Sequence, residues 1–404
     1  MKEMKMSIQN RKSLARASAT AAPATGDVQS LGSRFLAVLL SRNTILVLAA
    51  LLLILYFHQQ SDGLFLTPTN ASLLLRQTAV VAVVASGMTV LLIMGQFDLS
   101  VGSAAFFSGM VVAFAQVQDW GLVPSILAGV AVGLMIGLIQ GLVITTFAVP
   151  AFIVTLAGFL LWRGLGLWIT NAVPIGPVSD DFIGLTEGTM PLVVVIVLAV
   201  GVLAAGVTRM ISTRGVQGLS RRTSAAFPVV AALLLAVVVI VLGQTQIGLP
   251  NALLWVIGVA AVLGGLLGRA KLGRRIFLLG SNAESAVYAG INSKRIMLIG
   301  FLIMGAIYGI AGTMLTARAG VSSSDAGMNL ELTAIAAAVI GGTSLRGGIG
   351  TIRGAILGAV LLATIDNGMS LLGVSSYAQD VVKAIILVIA VALDGFFRRR
   401  QTTR

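Results

Sequence analysis

Hydrophobic residues in this chain come in long, almost unbroken runs rather than at the spacing of a half-buried helix or strand. A helix built from such a run has no polar face to give to water, so it must be surrounded by lipid or by other protein. Crossing a hydrocarbon layer about 30 Å thick takes about 17 to 25 apolar residues. On that ruler about twelve segments stand out, near 44–60, 72–94, 100–117, 122–146, 150–170, 190–208, 226–246, 251–268, 297–316, 330–342, 351–373 and 379–396. The segments 100–117 and 330–342 are short. Either reads as a half-helix that stops inside the membrane, where irregular backbone survives only if protein shields it from lipid. The pattern predicts an all-α polytopic membrane protein with about 10 to 12 full spans.

Composition supports this and closes most chemistry. Of 404 residues, 57% are hydrophobic and 10% charged, with a mean hydropathy of +1.01. There is no Cys and a single His, His58, which removes thiolate metal sites, Cys nucleophiles and His-centred triads. No catalytic residue, metal site or bound cofactor is expected. The net charge of +13 would suit nucleic acid, but the Lys and Arg gather at segment ends, where they encode orientation instead.

The first 43 residues carry Lys2, Lys5, Arg11, Lys12, Arg16, Arg34 and Arg42 and too little apolar surface to order, and they read as a disordered cytoplasmic tail. The run TILVLAALLLILYF (44–57) lies far from the N-terminus and lacks an A-x-A cleavage site, so it reads as an uncleaved first span. Counting crossings from that tail puts Arg209, Arg214, Arg221 and Arg222 in one cytoplasmic loop. The next, within 269–296, takes Arg269, Lys271, Arg274, Arg275, Lys294 and Arg295, and Arg398, Arg399, Arg400 and Arg404 mark a basic cytoplasmic end, 398–404. Asp62, Asp119, Asp180, Asp181, Glu187, Asp325 and Asp380 fall outside. Both termini are then cytoplasmic, as the positive-inside rule requires, and 44–397 forms one transmembrane domain.

Glycines four apart, such as Gly129, Gly133, Gly137 and Gly141, predict closely packed helix backbones. A sequence echo suggests how the halves are related. Asp98-Leu99-Ser100-Val101 is followed by Gly109, and Glu331-Leu332-Thr333-Ala334 by Gly342, with the glycine eleven positions after the acid in both. The first copy opens a segment running outward and the second one running inward, the arrangement of an inverted repeat. A competing alignment pairs Gly95, Leu99 and Gly102 with Gly341, Leu345 and Gly348 and makes the halves parallel. Asp98 and Glu331 both open a helical segment, where a carboxylate caps orphan N–H groups. The alternative is contact with a polar solute at the helix breaks, around Gly95, Gln96, Ser100, Gly102, Gly341 and Gly342. Arg163, Gln77, Gln140, Asn171 and Asn367 are further polar groups in apolar surroundings, able to bridge helices or meet a hydroxylated solute.

The stretch LLGSNAESAVYAGINSKRI (278–296) is a polar island. Ser281-Asn282-Ala283-Glu284 matches the S-x-x-E capping box, Ala283 to Ala289 favour helix, and Gly290 suits the C′ stop. A helix of about two turns does not persist alone in water, so it needs a surface. Presenting Ala286, Val287 and Tyr288 between basic ends, it reads as a docking element.

GQFDLSVGS (95–103), LGRRIFLLGSNAESAVYAGI (272–291), ELTAIAAAVIGGTSLRGGIGTIRGAILGA (331–359) and NGMSLLGVSSYAQDVVKAIILVIAV (367–391) resemble the membrane subunits of bacterial monosaccharide ABC importers, the ribose, galactose and xylose permease group. GQFDLSVGS departs from the family's usual GG[IV]DLSVGS at Gln96 and Phe97. The resemblance implies a homodimeric permease of the inner membrane, a cytoplasmic ATPase with two nucleotide-binding domains that uses ATP and Mg, and a periplasmic sugar-binding protein. It also implies that 281–290 is the coupling helix docked on that ATPase. The chain itself has no G-x-x-x-x-G-K-[ST] phosphate loop. An extra stretch at 209–268, a basic loop with two added spans, resembles the longer xylose-type members and points to xylose or a similar pentose. The rival reading is a proton- or sodium-coupled secondary transporter that would rely on Asp98 or Glu331.

Overall fold

The computed structural model describes residues 42–212 and 248–402. The predicted span 226–246, most of the N-terminal tail, and Arg214, Arg221, Arg222 and Arg404 lie outside the described residues.

Among the described residues every predicted hydrophobic segment is a helix, and no strand occurs beyond two isolated bridges, Ile175 to Ser322 and Thr189 to Pro250. Apart from short turns at Leu64–Leu66 and Asp180–Ile183, the described helices are α1 (Arg42–Gln60), α2 (Pro68–Ile93), α3 (Val101–Val117), α4 (Leu122–Phe147), α5 (Ala151–Thr170), α6 (Leu192–Ser212), α7 (Ala252–Arg269), α8 (Lys271–Ser281), α9 (Ala283–Tyr288), α10 (Ser293–Ala319), α11 (Leu330–Ile340), α12 (Ile352–Leu371) and α13 (Ser376–Thr402). Six of them, α2, α4, α5, α7, α10 and α12, are long and apolar enough to cross a membrane. Their ends follow local chemistry. Thr67 caps α2 ahead of Pro68, Thr351 caps α12, Asn292 caps α10, and Gly320, at φ 70, ends α10.

Packing divides by depth. α2 is buried along most of its length and runs through the middle, while α4, α5 and α7 keep broad apolar faces outward. α8, α9, the end of α2 and the start of α12 share one end of the bundle, where Gly348 N–H donates to Ile93 O at 2.8 Å. Asn70 and Asn367 exchange side-chain amide hydrogen bonds of 2.8 and 2.9 Å at the other end, where α2 begins and α12 finishes. The partners are swapped between halves: α10 packs most extensively against α3 and α4, and α2 packs against α11 and α12.

The α4–α10 contact uses the glycine ladder. A Cβ on Gly305 would fall 2.6 Å from Gly133 O, and one on Gly133 or Gly137 would strike the α10 backbone. Contact this close gives van der Waals packing that larger side chains would prevent, which matters where lipid supplies no hydrophobic drive between helices. α11, with 11 residues, is about 16 Å long, roughly half a hydrocarbon layer. α3 and α11 both begin inside the bundle, where Gly102 and Gly327 pack backbone to backbone, and they run to opposite ends.

Candidate functional site

The first helix break follows α2. Gly95, at φ 72, turns the chain back, and residues 95–100 re-enter the bundle as irregular backbone before α3. Gln96 reaches only its neighbour Met94 O, at 3.4 Å. Asp98 is fully buried. Its Oδ1 accepts from Ser100 N at 2.8 Å and Ser100 Oγ at 2.7 Å, and its Oδ2 accepts from the Tyr308 hydroxyl. Gln140 Nε2 donates to Ser100 Oγ at 2.8 Å, and Gln140 Oε1 lies 3.2 Å from the Tyr308 hydroxyl. The result is a closed ring joining the 95–100 segment to α4 and α10. Asp98 stands two residues before the N-cap Ser100, accepts its N–H, and joins the 95–100 segment to α10 through Tyr308.

The second break follows α10. Asn329, at φ 59, precedes α11, and Glu331 is the second residue of that helix. Glu331 is 6% exposed, with Oε2 against the Gly102 backbone at the start of α3. One carboxylate therefore faces two helix N-termini, whose unpaired N–H groups carry partial positive charge. Arg163 of α5 donates from Nη1 to Ser324 O at 2.8 Å and lies over the Phe106 ring, 4.7 Å from its centroid. In the same loop, a hydrogen bond from Ser323 holds the Asp325 carboxyl below its usual range.

Other sequence candidates go to structural tasks. Asn367 spends its amide on Asn70, joining α12 to α2. Asn171, at φ 50, is the exposed C-cap of α5. Gly341 packs on the Gly354 backbone where α11 meets α12, and Gly342 turns the chain there at φ 104.

The polar island differs from expectation by one residue. α8 continues through Ser281, whose hydroxyl donates to Phe277 O at 2.8 Å, so the cap of α9 is Asn282, accepting from Ser285 N at 2.9 Å. Glu284 lies in the first turn and has no reciprocal cap to make. Ala289 is the C-cap and Gly290 the left-handed C′, at φ 75. Ala286, expected on the surface, is buried, whereas Val287 and Tyr288 are 57% and 83% exposed. Gly280 packs on Gly347, and Ser281 on Gly348, which fixes α8 to the loop between α11 and α12.

Sequence reasoning missed three polar residues. Tyr308 is one of three hydroxyls in the apolar run of α10, with Thr313 and Thr316, and its pairing with Asp98 spans 210 positions. Lys383 of α13 lies 3.1 Å from Asp380 and 3.5 Å from Asp366 of α12. A charge inside an apolar segment was the signal available for Lys383 and Asp366, the same one that picked out Asp98.

The break junction and the α9 end occur in a chain similar to known permeases along almost all its length. Residues 70–391 match the family described as branched-chain amino acid transport system / permease component. The xylose transport system permease protein XylH of Escherichia coli (strain K12) is 36% identical over 390 residues, covering 94% of this chain and 97% of that protein. XylH of Haemophilus influenzae is 37% identical over 368 residues, covering 88% and 97%. The ribose import permease protein RbsC of E. coli (strain K12) is 31% identical over 349 residues, covering 86% and 92%. No solved structure matches. The chain therefore belongs to the branched-chain amino acid transport system / permease component family, alongside the xylose and ribose permease proteins.

Proposed function

We propose that this chain is the permease subunit of an ATP-binding cassette importer in a bacterial inner membrane, forming the path for a monosaccharide, xylose or a similar pentose. The observation that carries this reading is its likeness to sugar permeases over nearly the whole length, higher to xylose than to ribose proteins. Two copies of the chain form the path. A cytoplasmic ATPase with two nucleotide-binding domains hydrolyses ATP with the help of Mg, and a periplasmic binding protein delivers the sugar.

The bundle end with α8 and α9 faces the cytoplasm, and both termini lie on that side. α9 is the coupling helix: it is short, capped at both ends and offers Val287 and Tyr288 to a groove on the ATPase. Motion of α9 passes through α8 and the Gly280–Gly347 contact to the loop after α11, hence to the half-length helix α11. The swapped packing of α2 and α10, together with helices α3 and α11 that start inside the bundle and run to opposite ends, supports an inverted repeat that rocks between inward-open and outward-open states.

The test is reconstitution with the partner ATPase and binding protein. Tyr288→Asp should lower sugar-stimulated ATP hydrolysis about tenfold or more while the permease still folds, because a charge in an apolar docking groove is left unpaired. Undiminished stimulation overturns the role of α9. Xylose uptake that persists without ATP and follows a proton or sodium gradient would instead favour the ion-coupled transporter.

A further inference from the structure

The cleft between α11, α12 and α13 gathers three charged side chains near the start of α13. It has a volume of about 110 Å³ and is lined in part by Asn329, Thr333, Leu362, Asp380 and Lys383. Lys383 Nζ stands between two carboxylates, 3.1 Å from Asp380 Oδ1 and 3.5 Å from Asp366 Oδ2. Asn329 Nδ2 reaches Asp380 Oδ2 at 3.5 Å. All three charged side chains are partly open, at 24%, 29% and 50% exposure for Lys383, Asp366 and Asp380. Elsewhere α13 exposes Val381, Ile385 and Val388, an apolar face suited to lipid or to a second copy.

Two carboxylates against one ammonium leave one negative charge unpaired in a half-open cleft, where water or a polar ligand reaches it. A metal ion is the wrong occupant, because the Lys383 ammonium already fills the position between the carboxylates. The chemistry suits a neutral polyol. Its hydroxyls donate to Asp380 and accept from Lys383 and the Asn329 amide, and charge-assisted bonds of this kind are the strong ones. Asn329 is also the N-cap residue of α11, so occupancy bears directly on the half-helix at the second break.

We infer that this cleft is a sugar-contact site on the transport path, with Asp380, Lys383, Asn329 and Thr333 facing the sugar hydroxyls and Asp366 positioning Lys383. The inference rests on the sugar-importer reading above.

Because the chain has no Cys, single cysteines can be placed without background. In the reconstituted complex, Thr333→Cys in the cleft and Val388→Cys on the apolar face are treated with a charged, water-soluble thiosulfonate. Cys at 333 should react about tenfold faster or more, and xylose-loaded binding protein with ATP should slow its labelling while empty binding protein should not. Asp380→Asn should cut xylose uptake about tenfold with normal yield and assembly, the scale of one charged hydrogen bond. Equal labelling at 333 and 388, labelling indifferent to xylose, or wild-type uptake by Asp380→Asn overturns the site. If the unaltered complex moves no pentose, the sugar-importer reading fails instead, and the labelling contrast still tells whether water reaches the cleft.

Discussion

The two helix breaks begin alike and are finished differently. Each places an acid beside the start of a helix that begins inside the bundle, Asp98 before the 17-residue α3 and Glu331 in the half-length α11. At the first break, Ser100 and Tyr308 supply fixed donors to both carboxylate oxygens, and Gln140 closes the ring. At the second, Glu331 leans on backbone at two helix N-termini, and the Asn329 next to it opens onto the charged cleft. A side-chain lock and a lighter electrostatic cap are different mechanical elements. The locked break can serve as the rigid pivot, and the lighter one is free to respond to a ligand or to the loop that α8 holds.

The largest effect is expected where the breaks touch. Gly102→Val puts a branched side chain into the Gly327 carbonyl and the Glu331 carboxylate, with backbone on one side that cannot move away. Both breaks should fail together, with loss of folded protein in detergent extracts, since overpacking alone costs about 1–3 kcal/mol and here a carboxylate is displaced as well. Wild-type yield and melting temperature would mean that the breaks are not coupled through this contact.

Asp98 comes next. Asp98→Ala leaves the Ser100 N–H and Oγ without their acceptor and the Tyr308 hydroxyl with only Gln140 Oε1, a loss of about 2–6 kcal/mol at about 1–3 kcal/mol for each buried donor left unsatisfied. Asp98→Asn keeps one acceptor oxygen and should cost less, about 1–3 kcal/mol. Tyr308→Phe removes one donor and should fall near or below that, about 1–2 kcal/mol. If Asp98→Asn and Tyr308→Phe are combined, the double variant should cost less than the two single losses added together, because they share a bond. Full additivity in thermal melts would show that the lock does not exist.

The helices were legible because bilayer thickness fixes how many apolar residues a span needs, and the shortness of 330–342 marked it as a half-helix from its length alone. The lock was not, because nothing local to Asp98 points to Tyr308, 210 positions away; close glycine packing of α4 on α10 brings them together. The α9 cap slipped by one residue for a different reason. Ser281 and Asn282 are both good caps, and the choice was made by α8, which buries Gly273, Ile276 and Leu279 on one face and so extends through Ser281. Reading 269–280 as a loop hid that helix. It also turned the register of α9, sending Ala286 inward.

Glu331→Gln sharpens the contrast with the smallest change. The carboxylate draws its stabilisation from the partial charge of two helix N-termini, which is worth about 0.3–1 kcal/mol each and up to about 2 where partly buried. Gln keeps the shape and one acceptor oxygen, so the melting temperature should shift by only a few degrees, less than for Asp98→Asn. Transport should be more sensitive than stability, because weakening this cap loosens the α11 start beside the cleft while the first break stays locked. A stability loss equal to that of Asp98→Ala would instead make Glu331 a second lock, and the two halves would then be mechanically alike.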